Sequence, residues 1–222
     1  MKTLKKIFVF IICFCILVSF CSCKEDIDAD SNYELGLSYF KKQDFYNTIE
    51  TLKVITDNNL SLNKHKSDEA NMYYMIGYSY WQLKRFDTAT AYMEKANELD
   101  NNNEEYKQVM GRLYYIVDEF EKSRQCYEGV LKINSKNEKA YYNLGLISLK
   151  ESPMDTKNAK NYFEKAINLY PEYAMAYAGM SMAYYFEGNK EKTDYYLQKA
   201  IDFGYNDLPV IKQIQNGELT KP

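Results

Sequence analysis

An all-α body of repeated helix pairs is the fold class this sequence predicts, and three observations predict it. Apolar-glycine pairs recur in Tyr-rich surroundings at Leu35-Gly36, Ile76-Gly77, Met110-Gly111 and Leu144-Gly145, the last three glycines standing 34 residues apart. That period is not a multiple of seven, so it marks a supersecondary unit and not a coiled-coil heptad. Apolar residues then follow each glycine at the spacing of a helix face. Finally, 9 Gly and 4 Pro stand against 23 Tyr in 222 residues. So few breakers disfavour the many tight turns of an all-β fold, while Tyr suits helices with a packed ring and a wet hydroxyl. A hydrophobic content of 46% with 27% charged residues fits a folded body and not a disordered chain.

From the amino end, residues 1–22 read as an export signal. Lys2, Lys5 and Lys6 precede an apolar run from Ile7 to Phe20 that only Ser19 interrupts. The run is long for a signal core and short for a relaxed membrane span of roughly 20 residues. The basic flank predicts that this end stays cytoplasmic and the remainder crosses. Cys13, Cys15, Cys21 and Cys23 all lie in or beside the run, leaving only Cys126 for the body. A disulfide framework would need paired body cysteines, so none is expected. The stretch resembles the lipobox of bacterial lipoproteins. Ser22 supplies the small residue before Cys23, although Phe20 stands where an aliphatic is usual. The resemblance implies lipidation of Cys23, with Cys21 the next candidate, and attachment to a membrane, because two or more acyl chains hold stably. Cleavage without lipid and an uncleaved anchor helix are the alternatives. Residues 23–28 then form a short tether, in which Lys24-Glu25-Asp26 resembles a surface-export tag of some Gram-negative lipoproteins. The expected location is the cell envelope after export, at the outer membrane or surface, or on its periplasmic face.

The units are placed at 29–62, 70–103, 104–137, 138–173 and 174–207, with a capping helix and tail over 208–222. Three residues past each glycine come Tyr39, Tyr80, Tyr114 and Ser148, one turn further on the same face. The second helices open on Phe45, Phe86 and Phe120. They continue with small residues (Thr48, Ala89, Ser123), large ones (Leu52, Met93, Tyr127), then Ile55, Ala96 and Val130. The fourth unit resumes after an insertion near Ser152-Pro153 with Ala159, Phe163, Ala166 and Pro171. The fifth runs Tyr177, Met180, Ser181, Tyr184, Thr193, Leu197, Ala200, with Ser181 in the glycine's place. Unit one has a longer exit, Asn58 to Ser67. Since no hairpin buries its apolar stripe alone, the units must stack. Asp207-Leu208-Pro209 reads as a helix start whose Leu208, Ile211 and Ile214 cover the last unit.

This pattern resembles the tetratricopeptide repeat, from residue 29 to residue 207. The resemblance implies a right-handed superhelical solenoid of about five antiparallel helix pairs with a C-terminal capping helix. It also implies a non-catalytic scaffold that binds a protein partner. Departures are Lys107 at the first aromatic position of unit three, and a closing proline only at Pro171. The family's groove positions fall on Tyr74, Tyr78 and Trp81, then Arg112 and Tyr115. They continue with Tyr142, Asn143 and Leu146, then Met182 and Tyr185. Trp81 shares its position with Tyr115, Leu149 and Tyr185, which predicts a continuous apolar track. The Lys/Asn/Arg clamp of chaperone-binding members is absent, since the equivalent positions include Tyr33, Leu37, Met75 and Gly179. An extended peptide or an exposed helix is the expected occupant. The alternative is a surface lipoprotein that captures a glycan or nutrient on Tyr rings, although no insertion longer than Asn58–Ser67 is present to build such a site.

Chemistry is sparse. His65, the only histidine, lies in a polar stretch without a second ligand, and Cys126 has no histidine to activate it. Asp26, Asp28 and Asp30 alternate as in a calcium loop. Ser31 and Leu37 nevertheless stand where the loop needs its glycine and closing Glu. No phosphate-cradling glycine run or nucleophile elbow occurs. No catalytic residue, metal or cofactor is therefore expected. Net charge is −3, and the signal holds three lysines and no acid, so the body is more acidic still. Nucleic acid, which is gripped by clustered Lys and Arg, is not an expected partner.

Overall fold

A computed structural model describes residues 28–63, 66–151 and 153–220. Residues 1–22, read above as an export signal, Cys23 and His65 lie outside the described residues. Among those described, every regular element is an α-helix. Helices α1 (Ala29–Lys41) and α2 (Phe45–Asp57) form the first pair, α3 (Lys66–Gln82) and α4 (Phe86–Leu99) the second. The third is α5 (Glu104–Ile116) with α6 (Phe120–Ile133), and the fourth α7 (Glu138–Lys150) with α8 (Thr156–Leu169). The fifth is α9 (Ala174–Phe186) with α10 (Lys190–Asp202), and α11 (Leu208–Asn216) follows. None of the described helices is long and apolar enough to cross a membrane.

Asp and Asn start most of these helices. The side chains of Asp28, Asp44, Asn103, Asn137, Asp155, Asn189 and Asp207 each accept a hydrogen bond from a first-turn amide. Such a cap is worth about 1 kcal/mol relative to Ala. The turns inside the pairs use a left-handed residue, which is Gln43, Lys84 or Asp118 in the first three and Gly188 in the fifth. Only the last carries the glycine that would mark such a turn in sequence.

The helices of each pair pack on each other, and the second helix of a pair packs on the first helix of the next. First helices also touch one another, α1 with α3, α3 with α5 and α7 with α9, and so line one side of the stack. Helices α5 and α7 do not approach each other that closely. The small positions explain the tight contacts. A Cβ on Gly111 would lie 2.8 Å from the Tyr127 ring, and one on Gly179 would lie 2.5 Å from the Phe163 ring. Gly145 meets the same Cδ1–Cε1–Cζ edge of the Phe163 ring just as tightly, so one aromatic edge is held between two glycines of successive pairs. Ser181 is fully buried and donates through Oγ to the Thr193 carbonyl at 2.8 Å, while Ser123 Oγ donates to the Gly111 carbonyl at 2.7 Å. Either hydroxyl ties the two helices of its pair where space is short.

The departures from the repeat pattern also have physical accounts. The Lys107 stem runs along Gly129, and its ammonium donates to Asn97 Oδ1 at 3.1 Å. It therefore fills an aromatic's place with methylenes. The long exit of unit one is fastened, because Asn63 donates from its backbone and its side chain to Asp30 at 3.2 and 3.1 Å. Leu60 and Leu62 of that exit rest on the core. The capping helix requires a correction. Ile211 and Ile214 are buried as expected, but Leu208 is 62% exposed. It occupies the first helical position, where the chain is still approaching the stack, and covers nothing.

Candidate functional site on the inner face of the first helices

Residues 74, 78 and 81 of α3 recur at helical spacing, as do 112 and 115 of α5, and each set shares one face. The structure sorts these predicted positions into different environments. Tyr74 is core, being only 6% exposed with its ring stacked on Tyr106 at 5.0 Å. Its hydroxyl donates to Glu105 Oε1 at 2.5 Å. Burial, then that carboxylate, pushes the phenol far above its ordinary range. Tyr74 therefore offers no free face, because the next pair has closed over it. Tyr78 and Trp81 are half-buried and meet edge to face at 5.3 Å, and Tyr78 also stands on Phe40 at 5.5 Å. The exposed Arg112 lays its guanidinium 4.7 Å above the Trp81 ring. This cation–π contact joins the second and third pairs and is worth about 0.5–1 kcal/mol at an exposed site.

Tyr115 is half-buried, edge-on to Phe120 at 5.7 Å, and burial pushes its phenol up to about 12. Tyr142 is half-buried, and burial pushes its phenol far above its ordinary range. Its ring meets Tyr173 edge to face at 5.6 Å and tilts on Phe163 at 5.9 Å. Asn143 is half-buried and donates to the Lys139 carbonyl of its own helix at 2.7 Å. Tyr185 packs against the cluster of Leu197, Ile211 and Ile214, so the capping helix covers part of the surface it was expected to present. The predicted continuous track is also interrupted. Leu149 is 3% exposed and belongs to the core around Phe163 and Met180. Trp81 with Tyr78, Arg112 and Tyr115 remains partly open, as do Tyr142, Asn143, Leu146 and Met182 further along the stack.

Three neighbouring groups were not among the predicted groove positions. Tyr127 of α6 is 1% exposed, and its hydroxyl is sealed from solvent without a hydrogen-bond partner. An orphaned polar group of this kind costs about 1–3 kcal/mol. The hydroxyls of Tyr173 and Tyr205 approach the same region, both pushed up to about 12 by burial. A signal for Tyr127 was present, because Leu52, Met93, Phe163 and Leu197 occupy its position in the other pairs and none carries a polar atom.

Elsewhere, burial pushes the Cys126 thiol up to about 11, against the direction a nucleophilic cysteine needs. Among the described residues no group of three His, Cys, Asp or Glu side chains is placed to hold a metal. Tyrosines outside the inner face pack on each other. Tyr184 stacks on Tyr196 at 5.4 Å, and Lys160 and Lys192 lie over its ring at 4.6 and 4.9 Å. Those contacts occupy ring surface that stacking on a sugar would require.

Comparison with known proteins gives this architecture a family context. Residues 70–103 and 138–173 match the tetratricopeptide repeat. TPR repeat-containing protein MJ1428 of Methanocaldococcus jannaschii is 26% identical over 156 residues, 68% of this chain. The chain spans only 25% of that relative's length. The protein ycf37 of Guillardia theta is 28% identical over 121 residues, covering 54% of this chain and 67% of the relative. Among solved structures, YrrB, described as a TPR protein with an unusual peptide-binding site, superposes with a TM-score of 0.69 at 17% identity. The match covers 87% of this chain and 94% of YrrB. MamA superposes with a TM-score of 0.66 at 21% identity, covering 86% of this chain and 96% of that one. In fold, the described chain is an all-α solenoid of stacked helix pairs like those of tetratricopeptide-repeat structures, with the repeat itself matched at residues 70–103 and 138–173.

Proposed function

We propose that this solenoid is a non-catalytic scaffold whose inner face binds a segment of a protein partner, and that a lipid on Cys23 holds it to the cell envelope. The observation that carries the binding reading is the pair of half-buried rings Trp81 and Tyr78 with the exposed Arg112 laid over the indole, on adjoining first helices. Trp, Tyr and Arg are the residue types that dominate interface energetics, because each joins a large apolar face to a polar tip. The peptide-binding description of YrrB, whose fold this chain shares, supports the same reading. The anchor rests on the sequence order of basic residues, apolar run, Ser22 and Cys23.

Trp81→Ala tests the surface. Truncation of an interface anchor removes about 2 kcal/mol or more, a roughly thirtyfold loss of affinity. Proteins cross-linked to the wild-type chain in its native cells should be depleted from the variant by that factor, with the helical circular dichroism retained. Undiminished cross-linking would remove Trp81 as an anchor. A sharply lowered melting point without loss of partners would make it a packing residue. The anchor is tested separately by feeding a tagged fatty acid: wild type takes up the label and Cys23→Ala does not. Labelling that persists in the variant overturns the assignment and moves the test to Cys21.

A further inference from the structure

We propose that the end of the stack at which the first helices begin lies against a lipid surface, with Tyr170, Met175, Phe203 and Leu208 entering its headgroup layer. The proposal rests in part on the anchor reading above, and the tether supplies its first argument. The described chain opens at Asp28, which caps α1. Cys23 stands five residues earlier, a separation that spans at most about 18 Å. The 13 residues of α1 carry its other end about 20 Å away. A lipid on Cys23 therefore holds the starting end of α1 nearer to the membrane than the other.

First helices start, and second helices finish, at this same end of every pair. Contacts across it join successive pairs, as where Asn63 donates to Asp30 and Asn137 donates to Glu104 at 2.6 Å. The residues that close the second helices change along the stack. Asn58, Asp100 and Asn134 close the first three, whereas Tyr170 and Phe203 close the last two. Asp100 and Asn134 each accept through Oδ1 from the amide two residues on, at 3.3 and 3.1 Å. A Tyr ring at that position gives up such a bond. Asn103 and Asn137 likewise cap α5 and α7, while Tyr173 at the start of α9 makes no side-chain cap. A lost cap costs stability, so the rings here run against what the loop itself prefers.

Leu169, Tyr170, Met175, Phe203 and Leu208 are all exposed at this end. Tyr177 links the two loops, its ring 5.2 Å from Phe203 and its hydroxyl donating to the Pro171 carbonyl at 3.0 Å. Apolar side chains scattered singly are ordinary on a surface, but a group of neighbours marks a contact. Leu208, which covers nothing in the stack, gains a role in such a contact. Loop tips and helix starts form a projecting edge, which suits a flat surface. Tyr settles at headgroup level because its apolar body and polar tip match the two sides of that boundary. Segments 169–175 and 202–208 carry Glu172, Asp202 and Asp207 and no lysine or arginine. Attraction therefore comes from apolar burial, and a zwitterionic membrane suffices. One such patch holds weakly by itself, and the tether makes its binding an intramolecular event.

The test places a single tryptophan at either end of the stack in a Trp81→Phe background. Leu208→Trp and Tyr170→Trp report on the proposed contact. Leu83→Trp, also at an exposed position but in the turn at the opposite end, is the control. The full chain from its native cells is reconstituted on vesicles of brominated phosphatidylcholine, whose bromines quench tryptophan inside the bilayer. Emission from positions 208 and 170 should shift to the blue and be quenched, and emission from position 83 should do neither. Joint Tyr170→Asp and Leu208→Asp, followed through Met175→Trp, should abolish quenching with the helical circular dichroism retained. Unquenched, water-like emission at 208 and 170 overturns the contact, and the anchor then stands alone if Cys23 still carries the fatty-acid label. Quenching at 208 together with a label that persists in Cys23→Ala keeps the contact and removes the anchor. Equal quenching at 83 and 208 overturns the orientation. A blue shift at 208 without quenching assigns the patch to a protein contact and overturns the lipid surface.

Discussion

Phe163→Ala is expected to destabilise the solenoid more than any other single truncation, by about 3–5 kcal/mol. The ring is fully buried and stands between Gly145 and Gly179, where even one added Cβ would collide with it. Its removal opens a cavity that belongs to the fourth and fifth pairs at once. A neighbour that moves inward to fill it must break another contact, so the site collapses poorly. For a body of this size each kcal/mol shifts the melting midpoint by roughly 2–4 °C, which makes the expected fall on the order of 10 °C. The reverse change is informative too. Gly179→Leu puts bulk where a Cβ alone would lie 2.5 Å from the ring, and overpacking costs about 1–3 kcal/mol or more. Combining Gly179→Ala with Phe163→Leu should cost less than the sum of the two changes, because the smaller side chain makes room for the methyl group. Thermal melting followed by circular dichroism checks all of these. Strict additivity would show that Phe163 and Gly179 do not share one space.

Alkaline pH should unfold the protein cooperatively. Burial pushes Tyr106, Tyr115, Tyr173 and Tyr205 up to about 12, and Tyr74, Tyr114, Tyr127 and Tyr142 rise further. In the unfolded chain a phenol titrates near pH 10. Above that pH the unfolded state has released protons that the folded state still holds. The folded state therefore binds more protons, and stability falls as pH rises. The contribution is complete below about pH 10 and is lost as pH climbs through about 12. Each such phenol steepens the loss by up to about 1.4 kcal/mol per pH unit, so several together exceed the few kcal/mol that hold a domain folded. The buried rings should ionise together with loss of the helical signal. Phenolate absorbance and circular dichroism followed on one titration check that the two coincide. Complete ionisation with helices retained would contradict the burial described here.

The sequence by itself determined the architecture. Glycines at a fixed spacing, followed by small and large residues at helical intervals, specify which face of each helix is packed, because that information is local and repeats. Gly111 and Gly145 recur at that fixed spacing, and the rings of Tyr127 and Phe163 fill the space they leave. The turn residues were less legible. Gln43, Lys84 and Asp118 adopt the left-handed conformation without a glycine, since the packing of the two helices they join outweighs their own preference.

Only the tertiary structure decided how much of the inner face is open. Position along a repeat assigned Tyr74, Trp81, Leu149 and Tyr185 to one kind of surface. Tyr74 and Leu149 are nevertheless core, Tyr185 packs under the capping helix, and Trp81 remains half-buried beneath Arg112. The weaker contact of α5 with α7, and the orphaned hydroxyl of Tyr127, were likewise invisible beforehand. The physical reason is that periodicity states a direction from the helix axis. Exposure depends on how closely the next helix stands, and that distance is set jointly by side chains on three or four helices far apart in the chain.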